Sequence, residues 1–165
     1  MPRLFVIRGN SGSGKGTIAE ELRNQLSGKV ALIGQDHFRR TVLKEKDVAG
    51  GDNIDLIALT VEFALTRGYD VILEGILAFE RYGAMLTRLT AAWPDYYLYY
   101  LDIPFEETLR RHSTKQNATE FGEAEMRQWY IDLDLTGLPR ETILPSRYSV
   151  EDSVAQILRD VRGTN

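Results

Sequence analysis

Gly9-Asn10-Ser11-Gly12-Ser13-Gly14-Lys15-Gly16-Thr17 stands between the short apolar run Leu4–Arg8 and a stretch, Thr17–Leu26, that carries Ile18, Ala19, Leu22 and Leu26 on one helical face. The spacing is Gly, four residues, Gly, Lys. Glycines let a backbone curl until successive N–H groups point inward, which makes a cradle for phosphate oxygens. The helix that follows adds the positive end of its dipole. Lys15 is long enough to reach the β and γ phosphates of a nucleotide. Gly9, Asn10, Ser11, Gly12, Ser13, Gly14, Lys15, Gly16 and Thr17 are therefore the candidate nucleotide-binding residues. One position departs from the common pattern. The residue after Lys15 is Gly16, where a Ser or Thr hydroxyl would ligate magnesium. Thr17 lies one place late.

Working outward, strand-like and helix-like segments alternate. Val30–Ile33, Val71–Leu73, Tyr96–Leu101 and the short Thr142–Leu144 read as further strands. Asn53–Arg67, Tyr82–Ala92, Pro104–His112 and Glu123–Leu133 read as helices, with Asn117–Gly122 a loop before the last of these. Gly68 and Pro94 act as stop signals and Pro104 as a first-turn proline. Ser149 and Asp152 resemble a capping box that opens a final helix bearing Val150, Val154, Ile157, Leu158 and Val161 on one face. Such alternation predicts an α/β fold with parallel strands joined by helical crossovers. The strands are continuously apolar, as expected where helices cover both faces of a sheet. Ligands in such sheets sit beyond the carboxyl ends of the strands.

Composition narrows the function. The 165 residues carry a formal net charge of −4 and no cysteine, so no thiolate nucleophile or disulfide framework is present. The length suits a single domain over residues 1–165. An acidic balance argues against a broad nucleic-acid-coating surface. The longest apolar stretches, Leu4–Ile7 and Tyr96–Leu101, are far too short to span a membrane, and the first residues lack the apolar core of a signal peptide, so a cytoplasmic location is expected. Fifteen of the 20 basic residues are Arg, whose planar fork suits phosphate oxygens.

The carboxyl ends of the other strands supply candidates for the acceptor side. The second strand runs into Gln35-Asp36-His37-Phe38-Arg39-Arg40. A carboxylate there can orient an acceptor hydroxyl and take its proton, or cap a helix. Arg39, one turn on, suits an anionic group. Arg40 and His37 read as solvated or packed side chains. The third strand ends in Leu73-Glu74-Gly75, and Glu74 can hold a magnesium-bound water or an acceptor hydroxyl. Tyr82, Trp129 and Tyr130 are candidates to line an acceptor pocket, although helical spacing places Trp129 in the core. Asp132 and Asp134, if they face the cleft, favour a cationic acceptor. Arg110 and Arg111 follow Glu106 and Glu107 by four residues, so each can pair on the surface or reach phosphate.

The Gly-Lys-Gly-Thr loop resembles the adenylate kinase group of P-loop kinases, in which magnesium is held mainly by phosphates and waters. This implies ATP with Mg2+ and no ligand at position 16, leaving Thr17 and Glu74 (the latter through water) as metal candidates. Asp36-x-x-Arg39 with that loop resembles polynucleotide 5′-hydroxyl kinases, zeta toxins and chloramphenicol phosphotransferases. Leu101–His112, Ser113-Thr114-Lys115 and Met126–Tyr130 continue the resemblance in order. It implies a three-layer P-loop kinase fold with a five-stranded parallel sheet, helices on both faces and a small helical lid near residues 112–125. It also implies Asp36 as general base, Arg39 on acceptor phosphate, and Arg111 and Lys115 on ATP phosphates. The lid residue is ordinarily Arg, and a lysine at 115 lacks the bidentate contact.

Three functions remain open: an ATP-dependent kinase acting on a hydroxyl of a nucleoside-, sugar- or antibiotic-like small molecule; a polynucleotide 5′-hydroxyl kinase; and a nucleotide-binding module without transfer. No Asn-Lys-x-Asp guanine motif is present, which argues against a GTPase. No motif identifies the acceptor.

Overall fold

The computed structural model describes residues 1–113 and 122–163. Five strands, β1 (Leu4–Gly9), β2 (Val30–Gly34), β3 (Asp70–Gly75), β4 (Tyr96–Asp102) and β5 (Glu141–Pro145), form one parallel sheet in the order β2-β3-β1-β4-β5. Six α-helices intervene: α1 (Lys15–Gln25), α2 (Asp52–Thr66), α3 (Phe79–Ala92), α4 (Phe105–Ser113), α5 (Glu123–Trp129) and α6 (Val150–Gly163). β1 lies at the centre, and its four apolar residues divide strictly by the two-residue period of a strand. Leu4 and Val6 pack with Ile57, Val61, Tyr82 and Leu86 of α2 and α3. Phe5 and Ile7 pack with Ile18 and Leu22 of α1 and Val154 and Ile157 of α6. These two cores make the three layers. No helix among the described residues is long and apolar enough to cross a membrane.

The capping box at α6 forms with Asp in place of Glu: Asp152 N–H donates to Ser149 Oγ (3.0 Å) and Ser149 N–H to Asp152 Oδ2 (3.1 Å). Two helices differ from expectation. α3 opens three residues earlier than Tyr82, at Phe79. α5 stops at Trp129 instead of continuing to Leu133, because the chain beyond it is claimed by tertiary bonds. Tyr130 Oη donates to the Ile103 carbonyl (3.1 Å), and both backbone groups of Ile131 bond to Asn10. Leu133, the expected last residue of that helix, is exposed with φ of 48°. A segment that the sequence did not announce follows β2: His37–Val42 is π-helical, with Leu43 N–H donating to the Phe38 carbonyl (3.0 Å). Such wide turns recur at functional sites.

Candidate active site

The phosphate loop leaves β1 with Gly9, Gly12 and Gly14 at positive φ. Gly12 is fixed by two demands at once. Its φ is 77°, and a Cβ there would stand 2.6 Å from the Thr108 carbonyl oxygen of α4. Lys15 opens α1 and is nearly buried. Its ammonium donates to the Asn10 carbonyl (2.8 Å), with Ser13 Oγ at 3.5 Å. Arg111 reaches the same loop: its Nη1 donates to the Ser13 carbonyl (2.9 Å) while its Nε is held by Glu107 (2.7 Å). Arg110 turns away and pairs with Glu107 on the surface. Hydrogen bonds from Arg110 and then Arg111 hold the Glu107 carboxyl at about 2, below the usual carboxylate range. Of the two arginines, Arg111 is the one that borders the loop.

A cleft of about 210 Å³ opens above the loop, lined by Ser11, Gly12, Gly14, Lys15, Gly16, Asp36, Glu74, Gly75 and His112 among others. It brings together Lys15, Asp36 and Glu74, which come from three different strand ends. Glu74 approaches because Gly34 has no side chain; a Cβ there would lie 2.8 Å from Glu74 Oε1. Asp36 does not cap the π-helical segment, since its side chain makes no capping bond. Its carboxylate accepts from Arg39 Nη2 (3.0 Å) and is 64% exposed, open to the cleft.

A second groove of about 470 Å³ continues from the first, and the two share Ser11, Asp36, Arg40 and Ile76. Its further walls are Arg39, Lys46, Asp47, Arg81, Gln128, Trp129 and Ile131. On the opposite flank of the loop lies a more apolar cleft of about 430 Å³, lined by Thr17, Ile18, Leu101, Ile103, Arg111, Leu144 and Tyr148 among others. Thr17 thus lines a different cleft from Glu74, and the two metal candidates do not share one. No cluster of three metal-ligating side chains occurs among the described residues. Lys115 and most of the expected lid, including the 117–121 part of the expected loop, lie outside the described residues.

Several expectations are corrected. Tyr82 does not line either cleft: it is fully buried. Its hydroxyl accepts from Gln35 Nε2 (2.7 Å) and lies 2.8 Å from Asp47 Oδ1 and 2.9 Å from Asn53 Oδ1. Burial, and then Asp47, push that hydroxyl well above its ordinary pKa, so it stays a neutral donor. Trp129 goes the other way: placed in the core by its spacing, it is 44% exposed on the groove. Asp134 does not face the cleft either. It receives Arg8 Nη2 (2.7 Å) and Phe79 N–H (2.9 Å). Asp132 lines neither cleft. Arg40, read as solvated or packed, lines both.

The groove is supported by residues that carry no motif. Arg8 is fully buried between β1 and the groove wall. It donates to the Leu77 carbonyl (3.1 and 3.0 Å), the Asp134 carbonyl (2.8 Å), Asp134 Oδ2 (2.7 Å) and Glu141 Oε1 (3.1 Å). Leu77 has φ of 44°, a conformation unfavourable for a branched side chain, and is pinned from the other side by Gln35 Oε1 on its N–H (2.9 Å). Ile76 at the junction of the clefts is thus held by its neighbour. Asn10 is the second strut. Its side chain is not aimed at a nucleotide: Nδ2 donates to the Ile131 carbonyl (2.8 Å) and Oδ1 accepts from Ile131 N–H (2.9 Å). Glu45 caps α2 by accepting from Asp52 N–H (2.6 Å), Asn53 N–H (2.8 Å) and Asn53 Nδ2 (2.8 Å), which fixes the loop carrying Lys46 and Asp47. The Asn53 side-chain donor, more than any other, lowers the Glu45 carboxyl pKa.

The model of the zeta toxin family matches residues 1–92, from β1 through α3. The chain belongs to the zeta toxin family. The matched part of this family member holds the phosphate loop, Asp36, Arg39 and Glu74. A curated relative, 5-hmdU DNA kinase 1 of Salmonella phage ViI, is 23% identical over 138 residues, covering 73% of this chain and 63% of the relative. The chain thus spans under two thirds of that relative's length. Among solved structures, a gluconokinase from Sinorhizobium meliloti 1021 superposes with a TM-score of 0.70 at 15% identity, covering 99% of this chain and 93% of the other. APS kinase of Mycobacterium tuberculosis, solved with AMPPNP and APS, gives 0.72 at 16% identity over 98% of each chain. The fold is the one these kinases share.

Proposed function

We propose that this zeta toxin family member is an ATP-dependent kinase that moves the γ-phosphate to a hydroxyl of a small-molecule acceptor. One observation carries the reading: Asp36 lies where the phosphate-loop cleft and the second groove meet, with a carboxylate exposed to both. A nucleotide-binding module has no use for a carboxylate at that junction.

ATP would lie with its nucleoside in the more apolar cleft of Thr17, Leu101 and Tyr148 and its phosphates on the loop. Lys15 would exchange the Asn10 carbonyl for β- and γ-phosphate oxygens, and Arg111, beside Ser13, would add positive charge. The acceptor oxygen attacks the γ-phosphorus in line while the bond from that phosphorus to the β,γ-bridging oxygen breaks, and ADP leaves. The acceptor's proton passes to Asp36. Arg39 holds that carboxylate in place. Position 16 offers no hydroxyl, and Glu74 is the carboxylate of the loop cleft besides Asp36. This donor set fits a magnesium ion held by phosphates, with Glu74 contributing through water. When bound, Mg2+ supplies neutralisation of the β- and γ-phosphate charge.

A second reading, phosphorylation of a hydroxyl within a nucleic acid, is favoured by the arginine-lined groove and by the phage relative's name. The test is γ-labelled ATP incubated with nucleosides, amino sugars, antibiotics and 5′-hydroxyl and hydroxymethyl-bearing oligonucleotides. The kinase reading expects label in one class. Nucleotide binding without label in any class would make the chain a binding module.

A further inference from the structure

The outer face of α2 lines neither the loop cleft nor the acceptor groove. Inward, the helix buries Ile54, Ile57, Ala58, Val61, Ala64 and Leu65 in the core it shares with α3 and the sheet. A helix lying on the surface of a domain ordinarily keeps its outer face polar. α2 does not: Leu59 and Phe63, one turn apart, are 63% and 62% exposed. Among the described residues, no other helix turns two large apolar side chains to solvent.

The two ends of this apolar pair carry opposite charge. Asp55 precedes Leu59 by four residues and Arg67 follows Phe63 by four, so Asp55, Leu59, Phe63 and Arg67 make one ridge of the helix surface. Arg67 lies over the Phe63 ring, 5.3 Å from its centroid. Neither Asp55 nor Arg67 forms an ion pair among the described residues. The flanking threonines turn their hydroxyls back onto their own helix, Thr60 to the Leu56 carbonyl (2.8 Å) and Thr66 to the Glu62 carbonyl (2.7 Å), so covering this face strands neither hydroxyl proton. Glu62 is answered by Arg88 of α3 (3.9 Å).

A row that reads acid, apolar, apolar, base meets its own complement when a second copy is laid along it in the reverse direction. We propose that two copies of this chain associate through α2, antiparallel and about a two-fold axis that passes between Leu59 and Phe63. Asp55 then faces Arg67 of the second copy, Leu59 faces Phe63 of the second copy, and the axis repeats both contacts. Ridges of residues four apart lie side by side when the helix axes are inclined by about 50°, the commonest packing between helices. The parallel alternative sets Asp55 against Asp55 and Arg67 against Arg67, so charge dictates the direction. One helix row is at the small end of specific interfaces, and a dissociation constant on the order of 10 µM is expected.

Sedimentation equilibrium of the full chain, from about a tenth to about ten times that concentration, should show the mass double across the range. Leu59→Ser and Phe63→Ser should each weaken association at least about a hundredfold, because each loss is felt twice across the axis. Asp55→Lys and Arg67→Glu should each weaken it about tenfold by setting like charges opposite one another. Mixing these two charge variants tests the direction. One carries only cations at the ends of its row and the other only anions, so the mixture should form a one-to-one complex tighter than either variant with itself. Recovery in the mixture also shows that both are folded. A chain that stays monomeric throughout, a dimer indifferent to Leu59→Ser and Phe63→Ser, or a mixture no tighter than its components each overturns the proposal. The measurement is made without nucleotide and stands apart from the kinase reading.

Discussion

The phosphate loop and the acceptor groove meet at Asp36, yet they are built in opposite ways. The loop is nine consecutive residues whose work is done by backbone: glycines at positive φ and the start of α1. The groove is assembled from side chains on the π-helical segment, the loop after it, α3 and the end of α5. Backbone geometry follows from local sequence and is hard to spoil with one side chain. Side-chain geometry depends on distant struts, chiefly Arg8, Asn10 and Tyr82, and is spoiled when one of them is removed.

Substitution at the junction gives the largest expected effect. Asp36→Asn keeps the shape but cannot take a proton, and should lower kcat by about 10²–10⁴-fold with little change in ATP affinity, read by labelled transfer. Near-normal turnover would remove Asp36 from the role of base. Next comes a strut. Arg8→Met leaves Asp134 and Glu141 without their buried partner and should cost about 3–5 kcal/mol of stability, measured by denaturant unfolding. If the groove is the side-chain-built region, acceptor binding should be lost in this variant at temperatures where the nucleotide still binds.

How far each region can be read from the sequence follows the same division. The sheet, the layers and the phosphate loop were legible because each rests on local signals: apolar runs, helical spacing, glycine placement. Asp36 and Glu74 were legible because strand ends in a parallel sheet face the ligand. Tyr82 and Trp129 were assigned to each other's places. Spacing within a helix reports which face is turned inward only while the helix persists, and α5 ends at Trp129 under the pull of Asn10 and Ile103. Arg81, Lys46 and Asp47 left no signal, since an Arg on a helix and a Lys-Asp pair in a loop are ordinary surface residues until Tyr82 and Glu45 bring them together. Asp134 could be read only as an acid that faces the cleft or does not, because its partner, Arg8, lies 126 positions away.

The comparison is sharpened by Asn10, which belongs to the loop by sequence and to the groove by contact. Asn10→Ala removes two side-chain hydrogen bonds to Ile131 and leaves its backbone groups in need of partners. The acceptor KM should rise by about tenfold, corresponding to about 1–2 kcal/mol, while the ATP dissociation constant moves less than about twofold. An equal loss of both would mean that Asn10 serves the loop. The smallest effect is expected at Gly16. A Cβ there meets nothing within 4 Å and no unusual φ is required, so Gly16→Ser should fold normally and gain up to about 1 kcal/mol of helix stability. Thermal unfolding reads this, and a magnesium titration shows whether the new hydroxyl tightens the ion.

Asn10 grips Ile131 by its main-chain N–H and carbonyl, not by its side chain. The anchor is therefore indifferent to which amino acids occupy the wall it holds. Substitutions at Gln128, Trp129 or Ile131 can accumulate without loosening that attachment to the phosphate loop. Lineages with this arrangement can exchange one acceptor for another by ordinary point mutation while the ATP-handling machinery is inherited intact.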